Sequence, residues 1–233
     1  MYSELKTRFA TEVFKGDKNT TAALGKAYAD MSRRAAGHKN QMKIDCLTWL
    51  LDNEVFQSAL NCKNQSDFDN WHKETCIKLK EIHSGFGKIG RSQKVINMAF
   101  KYLSCVDNTY DTILPFSHMT LDGYTLNWYR DIGGQWIEWS KIDNYDEYFK
   151  IQEDIREYLN NHNEYCISIG KMVTKKIAIS NIPFEAEFVI WEGEIIKAKY
   201  NAIIKELNNY KTKGKEKDCW LIENLFDTYL QSY

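Results

Sequence analysis

Apolar residues recur every three or four positions through most of the chain, and alternation is confined to one short stretch, so the pattern predicts a mainly α-helical protein. In the first third it predicts helices over about 20–36, 39–60 and 66–83, the last capped by Ser66 or Asp67. Cys46, Leu47, Leu50 and Leu51, with Trp49, form the core stripe of the second, and Trp71, beside His72 on the third, reads as packing. A turn punctuated by Gly85, Gly87 and Gly90 opens a helix over 90–103 with Val95, Met98, Tyr102 and Leu103 on one side. Another helix starts at the Thr120-Leu121-Asp122 step. Past the Gly133-Gly134 turn and Trp136 and Trp139, Asn144 caps a helix of about 144–161 with Tyr148, Ile151, Ile155 and Leu159 at helical spacing. The alternating stretch, YCISIG and KKIAIS within 162–181, predicts a short β-hairpin. Pro183 suits the first turn of a long helix, the Lys-rich 211–217 run reads as a solvated linker, and a last helix is expected near 217–231.

With 233 residues and 43% of them hydrophobic, the chain is long and apolar enough to bury a real core. We read it as a single unit over 1–233 whose two helical halves, about 1–86 and 87–233, flank a cleft. A formal net charge of −1 argues against indiscriminate coating of DNA, since non-specific affinity grows with the number of phosphates neutralised. Local binding is a separate matter. Lys88, Arg91, Lys94 and Lys101 cluster around the glycine turn, and Lys171, Lys175 and Lys176 form a second basic patch. Taken singly, Lys88 and Arg91 read as a solvated helix face. Backbone N–H groups of a glycine turn at a helix N-terminus, here around Gly87 and Gly90, nonetheless hold a phosphate without net charge.

The six cysteines are scattered with no C-x-x-C pair, so neither a zinc site nor an iron–sulfur cluster is suggested and no metal or cofactor is expected. The histidines show no metal-ligand spacing, and His118, four residues before Asp122, reads as a loop histidine. No signal peptide and no run of about 18 apolar residues occurs, so a cytoplasmic protein with reduced thiols and no membrane contact is expected.

Two residues do not fit a purely structural pattern. Lys94 falls one turn inside the 90–103 helix, and Asp122 stands at the mouth of the next, where backbone N–H groups and the helix dipole favour an ionised carboxylate. An amine and a carboxylate brought to one cleft are what a DNA glycosylase with lyase activity requires, the amine attacking the sugar carbon and the carboxylate stabilising developing positive charge.

Three segments, GRSQKVINMAFKYL at 90–103, ILPFSHMTLDGYTLNW at 113–128 and IPFEAEFVIW at 182–191, resemble the archaeal-type 8-oxoguanine DNA glycosylases of the helix-hairpin-helix superfamily. The resemblance covers about the middle half of the chain and lies in the order and spacing of the three blocks. It implies a helix-hairpin-helix glycosylase-like fold, with Lys94 as the catalytic lysine, Asp122 as the catalytic aspartate, Lys101 as the second lysine and Trp191 as a base-stacking tryptophan. It further implies Met98 opposite Trp191 and Glu187 as a hydrogen-bonding partner of the base, with Gly87, Lys88, Gly90, Arg91 and Lys101 on the DNA. The 162–181 connection is longer than in that family and reads as an insertion.

The expected function is therefore excision, by a monomer acting on double-stranded DNA, of a damaged or modified base: 8-oxoguanine, or a bulkier base such as a modified cytosine of phage DNA. Strand cleavage by the lyase step would accompany it. The alternative is a helical nucleic-acid- or partner-binding protein, defence-associated, that keeps the fold without the chemistry. Convergence of Lys94 and Asp122 to about 3–6 Å separates the two.

Overall fold

The computed structural model describes residues 2–33, 39–169 and 172–212. In chain order the elements are α1 (Tyr2–Val13), α2 (Thr20–Ser32), α3 (Lys39–Asp52), α4 (Val55–Ala59), α5 (Gln65–Ile82), α6 (Ile89–Val106), α7 (Gly123–Asp131), α8 (Tyr145–Asn161), β1 (Glu164–Ile169), β2 (Met172–Ala178) and α9 (Pro183–Thr212). The architecture is mainly α with one antiparallel hairpin, whose register is interrupted by an irregularity between Ile167 and Ser168. The helix expected near 217–231 and the end of the Lys-rich run lie outside the described residues, as does Lys171.

Local chemistry sets most of the boundaries. Asn144 caps α8 by accepting from the Glu147 N–H, as expected. The cap of α5 is Asn64, two or three positions before the expected Ser66 or Asp67; its side chain accepts from the Asp67 N–H, while the Asp67 carboxylate reaches back to the Lys63 N–H. The single helix expected over 39–60 is two, because the chain turns at Glu54, whose φ of +46° lies in the left-handed region and cannot continue a helix. Gly87, at φ +57°, makes the corresponding turn before α6 at little steric cost.

The centre of the molecule is α6. It is buried nearly all round, polar positions such as Gln93, Asn97 and Lys101 included, so other elements enclose it. It packs on α2 and α5 from the first half of the chain and on α8 from the second. The helix α1 closes the assembly by docking on α9 and α6. Tyr2 meets the rings of Phe184 and Phe188, and Phe9 stacks on Tyr102 at 5.5 Å and meets Phe188 edge-on. Trp71 is packing, as read: its ring sits among Phe56, Phe68 and Phe100, and its N–H donates to Ser58. No helix among the described residues is long and apolar enough to cross a membrane.

Candidate active site

The Lys94 and Asp122 side chains converge from α6 and from the N-terminus of α7, with Lys94 Nζ 3.9 Å from Asp122 Oδ2. Helix capping explains why Asp122 points there. Its Oδ1 accepts from the Tyr124 and Thr125 N–H groups, and the Thr125 hydroxyl accepts in return from the Asp122 N–H, a reciprocal capping box. The cap occupies one carboxylate oxygen, and the other faces the lysine. At 3.9 Å the pair is beyond direct hydrogen-bond range, with room for a small adjustment or a reacting atom.

The second neighbour of Lys94 is Trp139, whose ring lies 4.5 Å from Nζ. A glycine makes that possible. A Cβ at Gly90 would fall 1.7 Å from the Trp139 carbonyl oxygen, so only glycine lets the 139–142 segment lie against the first turn of α6. The Gly90 N–H donates to the Ile142 carbonyl at 3.0 Å, a bond that fixes the same approach. This corrects the expectation that Gly90 offers its N–H to a phosphate, since that donor is already used. Arg91 likewise turns inward, its guanidinium donating to the Gly85 carbonyl. Lys88 stays at the surface, 3.3 Å from Asp143, in a solvent-exposed pair that a phosphate can compete with.

Lys94, Asp122, Met98, Lys101, Glu187 and Trp191 line one cavity of about 530 Å³. The expectation that Lys101 contacts DNA is corrected: the residue is 2% exposed, and its ammonium lies 2.9 Å from Glu187 Oε1. Its surroundings are aromatic, with Phe188, Phe9 and Trp191 ring centres at 4.4, 5.0 and 5.4 Å. Glu187 is equally engaged, because its second oxygen accepts from the Thr120 N–H at 2.7 Å. Trp191 meets Tyr124 edge-on at 5.9 Å.

Several wall residues carried no signal in the sequence. Phe9 and Val13 come from α1, Asp30 from α2 and Arg33 from its C-cap, and Asn127 and Tyr124 from α7. Asp30 is tied to both the Tyr102 hydroxyl and the Arg33 guanidinium.

Behind the cavity lies a buried polar network that includes His118. Asn97 donates to the Tyr148 oxygen, the Tyr148 hydroxyl lies 2.8 Å from His118 Nδ1, and His118 Nε2 lies 2.7 Å from both Asp69 Oδ1 and an Arg156 guanidinium nitrogen. Arg156 binds the same Asp69 carboxylate at 2.8 and 3.1 Å. Burial pushes the His118 imidazole down to about 4, so it is neutral at pH 7, while hydrogen bonds from His118, Arg156 and Gln65 outweigh burial and hold Asp69 down at about 2. His118 lies in the irregular segment between residues 114–116 and α7, a loop histidine as read. It is a fully enclosed part of the scaffold.

A larger groove, about 700 Å³, opens between α7, α8, β1 and α9. Its Lys197 pairs with Glu194 at 2.6 Å and Asp131 at 3.1 Å, and Tyr165 donates to Glu194, so this groove brings together partnered groups and no amine–carboxylate pair of the looser kind. Comparison of the chain with protein families, with curated proteins and with solved structures gave no match.

Proposed function

We propose that the protein is a DNA glycosylase with lyase activity, of helix-hairpin-helix type, that flips a damaged or modified nucleotide into the 530 Å³ cavity and excises its base. The observation that carries this reading is the meeting of Lys94 and Asp122 at 3.9 Å on the wall of that cavity, in the range expected of a nucleophile and its partner. The likeness of the 90–103, 113–128 and 182–191 blocks to the archaeal-type 8-oxoguanine glycosylases points the same way, as each block supplies a residue to that wall.

In this mechanism Lys94 Nζ, once deprotonated by Asp122, attacks C1′ of the flipped deoxyribose as the bond from C1′ to the base nitrogen breaks. The base departs with the bonding pair and takes up a proton. Ring opening then leaves an imine between Nζ and C1′, and elimination of the 3′ phosphate cleaves the strand. The proton that Asp122 took from Lys94 passes to the departing base, and the restored carboxylate at the N-terminus of α7 offsets the positive charge that develops on the sugar. Trp191 and Met98 flank the base. A volume of this size, within the usual range for small-ligand sites, accepts a base carrying a substituent as well as 8-oxoguanine.

The test is single-turnover excision on duplexes carrying 8-oxoguanine, uracil, or hydroxymethylated or glucosylated cytosine, with borohydride trapping of the covalent imine. A trapped species that is lost in Lys94→Gln supports the reading. Failure of the unaltered protein to excise any of these bases, with duplex binding intact, would leave a non-catalytic binding protein.

A further inference from the structure

The residues immediately before Asp122 are extended and enclosed: Met119, Thr120 and Leu121 are 0, 1 and 0% exposed, and they belong to no sheet. Main-chain groups buried this way have to be satisfied individually. Here side chains from four helices do it, with Asn97 of α6 adding a longer bond of 3.4 Å to the Met119 carbonyl. Gln152 of α8 accepts from the Met119 N–H at 3.1 Å and donates to the Met119 carbonyl at 2.9 Å, the two bonds a neighbouring strand would make. Gln93 of α6 does the same for Leu121, accepting from its N–H at 3.2 Å and donating to its carbonyl at 2.9 Å. Between them, Glu187 of α9 accepts from the Thr120 N–H, and the Thr120 carbonyl takes the Thr125 hydroxyl at 2.7 Å. Gln93 is itself oriented by Gly90 and Asn97.

The segment so held ends on the residue whose Oδ2 faces Lys94. Gln93 stands next to Lys94 in sequence, so one side of the clamp is built on the turn of α6 that carries the amine. We propose that Gln93, Gln152 and Glu187 are positioning residues that grip the main chain of 119–121 in order to hold the Asp122 carboxylate in register with Lys94. The inference rests on the glycosylase reading for its chemical readout, although the grip itself is measurable without activity. None of the three need touch the base or the sugar for this role. A loop free to shift would separate the carboxylate from the amine, and a displacement of about 1 Å at a reacting pair costs on the order of 10²-fold in rate.

Gln152 is the cleanest probe, since its side chain bonds to Met119 alone. Gln152→Met keeps length and removes both bonds; Gln152→Glu keeps an acceptor for the N–H and carries the same test should the first variant fail to fold. The expected result is a single-turnover excision rate lowered by about 10²-fold with duplex affinity unchanged. In an Asp122→Asn background the same substitution should cost nothing further, because a positioning residue has no effect once the group it positions is gone. An equal fold-loss in both backgrounds would overturn the proposal. Amide hydrogen exchange supplies the independent reading: Gln152→Met should speed exchange at Met119 and also at Tyr124 and Thr125, whose N–H groups are held by Asp122. Faster exchange at Met119 with Tyr124 and Thr125 unchanged would show that the grip does not extend to Asp122, and would sink the inference whether or not the protein excises a base.

Discussion

Lys94 and Lys101 lie seven residues apart on α6, line the same cavity, and are held in opposite ways. Lys101 is locked: its partner Glu187 is at 2.9 Å, both side chains are 3% exposed, and three aromatic rings surround the ammonium. Lys94 has its carboxylate at 3.9 Å with side chains 11 and 15% exposed, and the Trp139 ring 4.5 Å from its Nζ. A buried ion pair at hydrogen-bond distance resists change in either partner, whereas a looser pair with access to solvent can exchange a proton and admit a reacting atom. The contrast separates a locked floor of the cavity from a looser mouth, and it is at the mouth that the proposed chemistry lies.

The strongest way to break this comparison is at the mouth. Lys94→Gln should lower strand cleavage by on the order of 10⁴-fold or more, as expected for loss of a covalent nucleophile, while duplex binding changes little. Full activity in that variant, measured by single-turnover cleavage, would transfer the role to another amine. Asp122→Asn should cost roughly 10²- to 10⁴-fold in rate, the range of a positioned acid or base, with little change in melting temperature because asparagine caps a helix as well as aspartate. A lowered melting temperature with retained rate would mean that Asp122 serves only as the cap of α7.

At the floor the order of effects reverses, with stability responding before rate. Glu187→Gln removes the charge paired with a buried ammonium and should cost about 3–5 kcal/mol, whereas Lys101→Met combined with Glu187→Gln should recover much of that loss. Equilibrium denaturation of the single and double variants measures the difference. A Glu187→Gln protein as stable as the unaltered one would show that the pair is not locked.

The network behind the loop sets the pH window in which the comparison holds. The His118 imidazole, held down at about 4, binds its proton less readily in the folded state than in the unfolded chain, where its ordinary value is near 6.5. Between those values the unfolded state carries more protons, so stability falls as pH drops from 6.5 to 4, by about 3 kcal/mol in total from this group. Asp69, held down at about 2, adds a contribution that is present above its ordinary 3.8 and disappears as pH falls from there to 2. Denaturation midpoints measured between pH 7 and 4 should slope downward with acid, and less steeply in His118→Gln. The smallest expected effect is that of Trp191→Ala, a loss of about 1–3 kcal/mol of stacking applied evenly to every excised base. Unequal losses across the panel of modified duplexes would make Trp191 a discriminating residue.

Much of the helical layout was legible in the sequence because it depends on neighbours in the chain: apolar spacing, Asn144 and Pro183 at helix starts, alternation in the hairpin. Candidate chemistry was legible where a residue type broke its local pattern, as Lys94 does inside an apolar helix and Asp122 does at a helix mouth. Gln93, Asn97 and Gln152 broke their patterns too, being polar residues on buried faces, but nothing local says which main-chain atoms they serve. Gly90 was legible as a turn residue and its purpose was not, since the atom that excludes a Cβ there belongs to Trp139.

What the sequence by itself determined is therefore most of the helices, α1 excepted and α3 and α4 read as one, and the two candidate groups Lys94 and Asp122, because propensity, capping and periodicity act over a few residues. Only the tertiary structure decided that Lys94 meets Asp122, that Lys101 is enclosed, and that α1 and α2 supply part of the cavity wall. Those outcomes depend on which helix faces are pressed together, and burial then requires every charge and amide caught between them to find a partner far away in the chain.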